Sequence, residues 1–358
     1  MIHIFDILGI YCGMHYYDIA FADIFREKGL KVRIYSNFAE KGNKAYFPLL
    51  FKGFKIKRIF LLFWAYLKYF YFIITHINDK VIYLTYGELY EIPFLLISSI
   101  SKNAFIDVHE IHALKYADNS KIAKFIEYIY RKRVRNVIYH SDRTYNILKG
   151  ENINMLFVPH FKYVFKKEYN KENLSKDIRE SFANKKIKKF LFFGNLSTVK
   201  GVDVVVDVFT HLTTTDYELV IAGKNVENID FRKIRSHNIK VFDRHINDDE
   251  LVFLYSNTDY ILLPYRKSSQ SGIFAMAAYF HKPMILSDIP YFSGMLSEFP
   301  SFGVRSSLAT YGVTILKLIE KDSNSYYQNQ DCEKFEMKED IEAFISNYLN
   351  YYKKQVSI

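Results

Sequence analysis

Cysteine is scarce in this sequence: Cys12 and Cys332 are the two cysteines among 358 residues. They lie far apart and neither belongs to a Cys/His spacing motif, so neither a disulfide framework nor a structural zinc site is expected. Signatures of nucleic-acid binding are also missing, since no helix-turn-helix spacing, zinc-finger pattern or aromatic RNA-binding strand motif occurs. These absences predict a reducing cytoplasmic compartment and no nucleic-acid partner.

A recognisable targeting segment is missing as well. The first residues, MIHIFDILGIYCG, lack a basic stretch before an apolar run and predict a buried strand rather than a signal peptide. Residues 59–77 are apolar enough to raise the question of a membrane span, but Lys68 and several tyrosine hydroxyls argue against one. The basic and aromatic segment 52–77 is interpreted either as a core-facing helix or as a peripheral contact with an anionic membrane.

Basic residues and apolar residues are both plentiful. The formal net charge is +10, and hydrophobic residues make up 49% of the chain. Such a composition is typical of a globular protein, and this length favours two domains of roughly 150 to 180 residues each. The positive charge favours anionic partners, chiefly nucleoside diphosphates or a membrane surface.

Short apolar runs alternate with helical patterns along most of the chain. This alternation predicts an α/β fold in which repeated strand-helix-strand units build parallel sheets. The charged stretch 166–188 is poor in apolar residues and predicts a linker between domains 1–165 and 189–335. A final helical pattern occupies residues 336–358. Ser141 is predicted to cap the helix that starts at Asp142.

Two strand-to-helix turns in the second half carry the strongest functional pattern. The first turn runs from Gly194 to Gly201 and contains Lys200, and the second contains Arg266 and the run Ser268-Ser269-Gln270-Ser271-Gly272. The first backbone amides of a helix lack intrahelical partners and favour anions. Combined with basic side chains, such turns predict a diphosphate site. Ser269 or Ser271 is also expected to cap the second helix.

Four segments in this order resemble the nucleotide-sugar-binding domain of bacterial family 4 glycosyltransferases of the GT-B fold: FFGNLSTVKGVDVVVDVF, YELVIAGK, VFDRHINDDELVFLYSNTDYILLPY and SSQSGIFAMAAYFHKPMILSD. The resemblance implies two Rossmann-like domains whose parallel sheets face an interdomain cleft. It also implies that the N-terminal domain binds the acceptor and that the last helix crosses back to that domain. A nucleoside diphosphate sugar is the implied donor, with no metal or other cofactor.

The resemblance implies roles for individual residues. His109, Glu110, Lys200 and Arg266 would be catalytic, with His109 contacting the sugar or handling a proton and Glu110 activating the acceptor. His15 would join His109 and Glu110 in binding the acceptor. The residues implied in donor binding are Gly13, Gly194, Asn195, Lys200, Lys224, Arg244, His245, Ile246, Arg266, Ser269, Gln270, Ser271 and Gly272.

The chain departs from the family at one motif. Many retaining members carry two glutamates separated by seven residues, and Ser269 and Ala277 occupy those positions here. The sequence Gln270-Ser271-Gly272 resembles a variant found in a subset of related sequences. The resemblance still implies a retaining hexosyltransferase. His160, in VPHFKY, is interpreted as a cleft or hinge residue.

The run Asp107-Val108-His109-Glu110-Ile111-His112 suits either a metal or an acid-base centre by its residue types. A metal is disfavoured because GT-B enzymes hold the diphosphate with cationic side chains and helix dipoles, so acid-base chemistry is favoured. His112 is expected to be peripheral to this centre.

The predicted function is transfer of a sugar to a hydroxyl of a glycan or lipid-linked acceptor, in cell-surface polysaccharide or glycolipid synthesis at the inner face of the plasma membrane. Two alternatives stay open, a catalytically silent GT-B binding or partner subunit and a sugar-nucleotide epimerase of the same fold. A nicotinamide-dependent dehydrogenase is disfavoured, because the turn from Gly9 to Gly13 lacks Gly-x-Gly-x-x-Gly spacing and Ser36 ends the second strand.

Overall fold

The computed structural model describes residues 1–40, 42–50, 54–113, 115–159, 166–182, 186–234, 236–336 and 339–356. The chain forms two compact units. The first comprises Met1–His160 with Lys338–Ile358, and the second comprises Phe161–Met337. Each unit contains one six-stranded parallel sheet with helices, which confirms the predicted α/β class.

The strands of the first unit pair in the order β2-β1-β3-β4-β5-β6. They are β1 (Ile2–Phe5), β2 (Val32–Tyr35), β3 (Lys80–Thr85), β4 (Ala104–Val108), β5 (Asn136–Tyr139) and β6 (Asn154–Phe157). Strands β1 and β4 are buried along their whole length, as strands covered by helices on both faces must be. Because β1 lies between β2 and β3, the strand order reverses at β1: the chain first adds β2 on one side of β1 and then adds β3 on the other side.

Among its described residues, five helices follow the strands of the first unit: α1 (Met14–Arg26), α2 (Lys55–Thr75), α3 (Ile92–Ser98), α4 (Lys121–Arg133) and α5 (Asp142–Leu148). The predicted cap of α5 is confirmed, since the Ser141 side chain accepts a hydrogen bond from the Thr144 amide. Ser120 caps α4 in the same way through the Ala123 amide. One face of α2 joins α3 and α4 in an aromatic core that includes Phe5, Tyr69 and Phe94.

The second unit repeats the pattern with the strand order β12-β11-β10-β7-β8-β9. Its strands are β7 (Lys188–Phe193), β8 (Tyr217–Gly223), β9 (Ile239–Asp243), β10 (Tyr260–Leu263), β11 (Met284–Ser287) and β12 (Gly303–Ser306). Its helices are α6 (Lys176–Glu180), α7 (Val202–Thr210), α8 (Asp248–Asn257), α9 (Gly272–Tyr279), α10 (Pro290–Glu298), α11 (Tyr311–Ile319) and α12 (Asn329–Glu336). Strand β7 lies between β8 and β10, so this sheet also has a reversal point.

The charged stretch before β7 is attached to α8. The Asp249 carboxylate accepts hydrogen bonds from Lys166 Nζ at 2.6 Å and from the Asn170 amide at 2.8 Å. The apolar side chains of Leu174 and Ile178 are buried. Residues 166–182, which the sequence assigns to a linker, therefore belong to the second unit and contact the rest of it.

The last helix, α13 (Glu339–Val356), belongs to the first unit. Tyr348 is fully buried, with ring centroids 5.2 Å from Phe25 and 5.1 Å from Phe105. The Tyr352 hydroxyl donates to the Asn103 carbonyl at 2.7 Å. Aromatic packing and this hydrogen bond attach α13 to the rest of the unit.

Candidate functional site

The reversal point of the second sheet brings the two predicted turns together. In open α/β sheets, ligands bind beyond the carboxyl ends of the strands where the strand order reverses, here β7 and β10. The Arg266 amide donates to the Val199 carbonyl at 2.9 Å. At Gly201, which has φ +76°, an added Cβ would lie 2.0 Å from the Pro264 carbonyl oxygen. The two turns thus touch through their backbones, and only glycine permits this approach.

The turn after β8 joins the same group. A Cβ at Gly223 would lie 1.8 Å from the Gly194 carbonyl oxygen, and the Gly194 amide donates to the Ala222 carbonyl at 3.0 Å. The Leu196 amide donates to the Lys224 carbonyl at 2.8 Å. The structure therefore places the predicted donor residues Gly194, Asn195 and Lys224 on adjoining turns.

Lys200 is the cation nearest to Gly194 in this arrangement. Its Nζ would lie 3.4 Å from a Cβ at Gly194, as would the Cδ1 atom of Ile273 in the first turn of α9. The same Nζ lies 5.4 Å from the centroid of the Tyr265 ring, a cation-π distance. Within the residues described, no carboxylate forms an ion pair with Lys200. Its charge therefore remains available to an anionic ligand.

Arg266 has a different environment. Its guanidinium donates to both Asp203 carboxylate oxygens, at 2.7 and 2.6 Å, and also to the Thr198 carbonyl. Burial acts to raise the pKa of Asp203, but the hydrogen bonds and charge of Arg266 outweigh it and lower that pKa. Because Asp203 lies in the first turn of α7, the pair fixes Arg266 to the start of this helix. A direct role of Arg266 on a diphosphate stays a prediction.

The run before α9 ends in a helix cap, which confirms one of the two predicted serines. The Ser271 side chain accepts from the Phe274 amide at 3.2 Å, and the Ser268 hydroxyl donates to the Gln270 carbonyl at 2.5 Å. Ser269 and Ser271 are both buried. The helix starts at Gly272, has no acidic residue in its first turn and is positioned next to Gly194 by Ile273. An amide-rich helix start of this kind favours an anion.

The loop after β9 is held by an ion pair. Arg244 donates to both Glu250 carboxylate oxygens, at 2.7 and 2.8 Å, and to the Ser175 hydroxyl at 2.6 Å. Burial acts to raise the pKa of Glu250, but these hydrogen bonds bring it down to about 2. His245 is exposed beside this pair, whereas Ile246 is buried. Contact of these three residues with a nucleotide base stays a prediction.

In the first unit, the loop after β1 is fixed by two buried side chains. Asp6 accepts from the Leu8 and Gly9 amides at 2.8 and 2.7 Å, and Asn37 accepts from the Ile10 amide at 3.0 Å. Gly13, with φ +74°, occupies the N-cap of α1. The ring of His15 packs on Tyr16 with centroids 4.0 Å apart. Both predicted residues, Gly13 and His15, therefore lie at the reversal point of the first sheet.

Two fully buried carboxyl groups stand beneath this loop. Burial raises the pKa of Asp6 to about 6, and burial together with the neighbouring charge of Asp6 holds the pKa of Asp18 well above its usual range. Like charges in a low-dielectric site favour retention of a proton by one of the pair. The sequence pattern did not single out either residue.

His109 lies at the end of β4 among aromatic rings. It stacks on Tyr86 with centroids 5.0 Å apart and meets the edge of Tyr17 at 4.3 Å. Its amide donates to the Thr85 carbonyl at 3.0 Å, and the residue is 5% exposed. These contacts fix the orientation of the imidazole, as a sugar-binding or proton-handling residue requires.

A buried ion pair supports His109 from one side. Asp107 accepts from the Tyr17 hydroxyl at 2.7 Å and from His140 Nε2 at 2.5 Å. His140 Nδ1 lies 3.1 Å from the Val158 carbonyl, which can only accept a hydrogen bond, so Nδ1 carries a hydrogen. Burial acts to raise the pKa of Asp107, but the charge and hydrogen bond of His140 lower it.

The same residues form the metal-type cluster found among the described residues. One ligand atom from each of Asp107, His109 and His140 falls within 4.8 Å of the others. The direct hydrogen bond between Asp107 and His140 already joins two of the three. The sequence run that contains Asp107 indicates such a centre but does not include His140, because α4 and β5 lie between the two residues in the chain.

Glu110 contacts Arg143, whose Nη1 atom donates to Oε2 at 2.9 Å. Its Nη2 atom lies 2.8 Å from Asp118 Oδ1 and 3.2 Å from Nε2 of His112, a residue that is fully buried. An ion pair of this kind stabilises the charged carboxylate. Acceptor activation by Glu110 stays a prediction, and His160 lies outside the described residues.

Known families and structures resemble this chain over different lengths. Residues 173–300 match the family described as "Glycosyl transferases group 1". No match was found among curated proteins.

Solved structures match over almost the whole chain. Sucrose-phosphate synthase from Thermosynechococcus elongatus has 12% identity and a TM-score of 0.68, with 99% of both chains covered. A glycosyltransferase from Rickettsia africae has 14% identity and a TM-score of 0.67, with 99% of this chain and 97% of that chain covered. HepE from Anabaena, solved with UDP-glucose, has 11% identity and a TM-score of 0.66, with 100% of this chain and 99% of that chain covered. The chain therefore has the GT-B fold, and residues 173–300 carry its similarity to group 1 glycosyl transferases.

Proposed function

We propose that this protein is a family 4-type glycosyltransferase that moves a sugar from a nucleoside diphosphate sugar to a hydroxyl of a glycan or lipid-linked acceptor. One observation carries the proposal: Gly194, Lys200 and the start of α9 converge at the reversal point of the second sheet. These residues belong to the region that matches group 1 glycosyl transferases. The UDP-glucose bound to HepE supports the donor class.

The chemistry requires stabilisation of the diphosphate that leaves the sugar. Lys200 supplies a positive charge that no described carboxylate neutralises, and the first amides of α9 supply fixed donors. Donors and charges that are already in position stabilise developing charge without reorganisation. Arg266 pairs with Asp203 in the structure, and we propose that it contacts the diphosphate when the donor binds, because a phosphate can replace Asp203 in the bidentate pair. No metal cofactor is needed in this scheme.

The first unit supplies the polar groups for sugar and acceptor. His109 is oriented by Tyr86 and Tyr17 and supported by the buried pair of Asp107 and His140. We propose sugar contact or proton handling for His109, and acceptor binding for the groups at the carboxyl ends of β1 and β4. Retention of configuration is part of the proposal and must proceed without carboxylates at Ser269 and Ala277.

We further propose a cytoplasmic location with peripheral membrane contact, in synthesis of a cell-surface polysaccharide or glycolipid. The support is chemical: a positively charged protein with an aromatic, basic helix suits an acceptor carried on an anionic membrane.

Nucleotide-sugar binding to the purified chain tests the donor site. A ligand at 100 times its dissociation constant stabilises the folded state by about 2.7 kcal/mol, so a cognate donor should raise the melting temperature. Lys200→Ala should abolish this rise. Lys317→Ala, at an exposed position of α11, is the matched control and should retain it.

Donor turnover then separates the alternatives. We expect nucleoside diphosphate release that needs an acceptor, persists in EDTA and disappears in Lys200→Ala. Sugar-nucleotide conversion without acceptor would identify an epimerase instead. Donor binding without any turnover would identify a silent subunit, and an unchanged thermal shift in Lys200→Ala would refute the proposed site.

A further inference from the structure

Helix α2 is apolar on two opposite faces. Toward the sheet, Ala65, Tyr69, Phe72 and Ile73 are buried in the core. The outward apolar side chains are each between 44% and 75% exposed: Ile56, Ile59, Phe60, Phe63, Trp64, Leu67, Phe70, Tyr71 and Ile74. They recur mostly at spacings of three and four residues, which place them along one side of the helix.

This helix is also the one membrane-span candidate in the described part of the chain. It is long and apolar enough by composition, and 22% of its most apolar window is buried. A core helix of a soluble protein would be mostly buried, and a span would be surrounded by lipid. Here one face is fixed to the sheet of the first unit and the other exposes apolar side chains, so the helix can lie in the plane of a membrane interface but cannot be surrounded by lipid.

Neighbouring helices extend the exposed apolar surface. Helix α2 packs against α3, and α3 packs against α4. Outward residues on these two helices include Leu96, Phe125 and Tyr128, which are 40%, 50% and 56% exposed. We call the exposed apolar side chains of α2, α3 and α4 the outer face. Single exposed apolar residues are ordinary, but many of them on three neighbouring helices indicate an interaction site.

The charges around the outer face determine its partner. Helix α2 has no acidic residue, and its first turn carries Lys55, Lys57 and Arg58. Helix α4 carries Lys121 and Lys124 at its start and Lys132 and Arg133 at its end, whereas Arg131 pairs with Glu127 and Glu151. A second copy of this chain would bring the same positive charge against itself. An anionic lipid surface supplies both the apolar phase and the negative charge.

We propose that the outer face docks the first unit onto an anionic bilayer, with α2 lying in the membrane plane. Trp64 and Tyr71 would lie at the depth of the lipid headgroups, where such rings are enriched. Lys68, whose Nζ donates to the Tyr46 carbonyl at 2.5 Å, stays on the protein side. The inference deepens the proposed function, because a lipid-linked acceptor would be carried by the same surface.

Trp64 makes the test direct, because it is the single tryptophan of the chain and half exposed. The full chain is mixed with vesicles of phosphatidylcholine containing phosphatidylglycerol, and with vesicles of phosphatidylcholine alone. We expect a blue shift of Trp64 fluorescence, quenching by brominated acyl chains and co-flotation, all stronger with the anionic vesicles. Absence of all three signals would overturn the proposal.

Variants locate the surface. Phe63→Glu with Leu67→Glu should weaken vesicle binding by roughly a hundredfold or more, since two apolar side chains lose their lipid contact. Val313→Glu with Leu316→Glu, at exposed positions of α11, is the matched control and should bind normally. Lys57→Glu with Arg58→Glu keeps the apolar side chains and should abolish the preference for anionic vesicles.

Two further measurements make the outcome decisive. Sedimentation of the chain without lipid should show no self-association. If the chain does associate, and Phe63→Glu with Leu67→Glu abolishes this association, a second copy covers the outer face and the proposal is wrong. The nucleotide-sugar thermal shift should persist in all of these variants. Loss of vesicle binding with an intact thermal shift therefore separates failure of this proposal from failure of the donor site.

Discussion

Substitution of Gly201 by alanine tests whether contact between the two turns builds the donor site. Gly201 has φ +76° and occupies the N-cap of α7, directly after Lys200. A Cβ there would lie 2.0 Å from the Pro264 oxygen and 2.9 Å from the Pro264 carbonyl carbon, both backbone atoms. Neither atom can rotate away as a flexible side chain would. The turns after β7 and β10 must therefore move apart.

The expected cost has two parts. A left-handed alanine costs about 1 kcal/mol relative to glycine. Relief of the backbone overlap requires a displacement of about 1 Å and costs a further 1 to 3 kcal/mol, as overpacking does elsewhere. We expect Gly201→Ala to lower the free energy of unfolding by about 2 to 4 kcal/mol. The same displacement should weaken nucleotide-sugar binding at least about tenfold, because Lys200 and the start of α9 would no longer be in the relative positions that the ligand requires.

Gly29→Ala is the matched control. Gly29 has φ +73°, nearly the same backbone conformation, and nothing lies within 4 Å of its added Cβ. It should therefore show the conformational cost of about 1 kcal/mol alone. Urea denaturation gives the stability of both variants, and calorimetric titration with the nucleotide sugar gives the affinity. Equal stability and equal donor affinity in the two variants would refute the contact between the turns as a determinant of the site.

Three charge changes carry further predictions. Glu250→Gln should cost about 2 kcal/mol at neutral pH because it removes the ionic partner of Arg244; the pKa of Glu250 is lowered from 4.5 to about 2, so the deficit in urea denaturation should shrink as the pH falls through that interval. Asp107→Asn should cost about 1 to 3 kcal/mol, because it removes the carboxylate that accepts hydrogen bonds from Tyr17 and His140; an equal loss in His140→Gln that is not additive in the double variant would confirm the pair. Asp18→Asn should have the opposite sign: burial raises the pKa of Asp18, so the wild-type fold loses stability relative to the unfolded chain as the pH rises above 3.8, and the variant should be the more stable protein at pH 8 but not in acid. A gain that is independent of pH would contradict this reasoning.

Several helices and strands follow directly from local patterns. Strand β8 coincides with the largely apolar run YELVIAG, because a strand buried on both faces needs a nearly continuous apolar sequence. The edge strand β9 coincides with IKVFD and is only partly buried. The caps at Ser141 and Ser271 follow from a serine placed before a helical pattern. The alternation of strands and helices also predicts a helix after Ile229, between β8 and β9, and this prediction is wrong: within the described residues the segment forms a short 3-10 turn at Phe231–Lys233.

Other elements escaped because their signals are not local. Strand β12 at the sheet edge is short and half polar, and it becomes a strand through its pairing with β11. Residues 166–182 look like a linker because they are charged. Their lysine and amide groups are bound by Asp249, and Leu174 and Ile178 supply the few apolar contacts.

The sequence by itself determined the parallel α/β architecture and the turns that carry Gly194, Lys200 and Ser271, because apolar runs, glycines and caps act over a few residues. Tertiary structure alone decided how charges are used. It paired Arg266 with Asp203 and Arg244 with Glu250, and it joined Asp107 to His140 across two strands. It also decided which side of α2 is buried, since a helix apolar on both faces has no periodicity that distinguishes the core from an exposed surface.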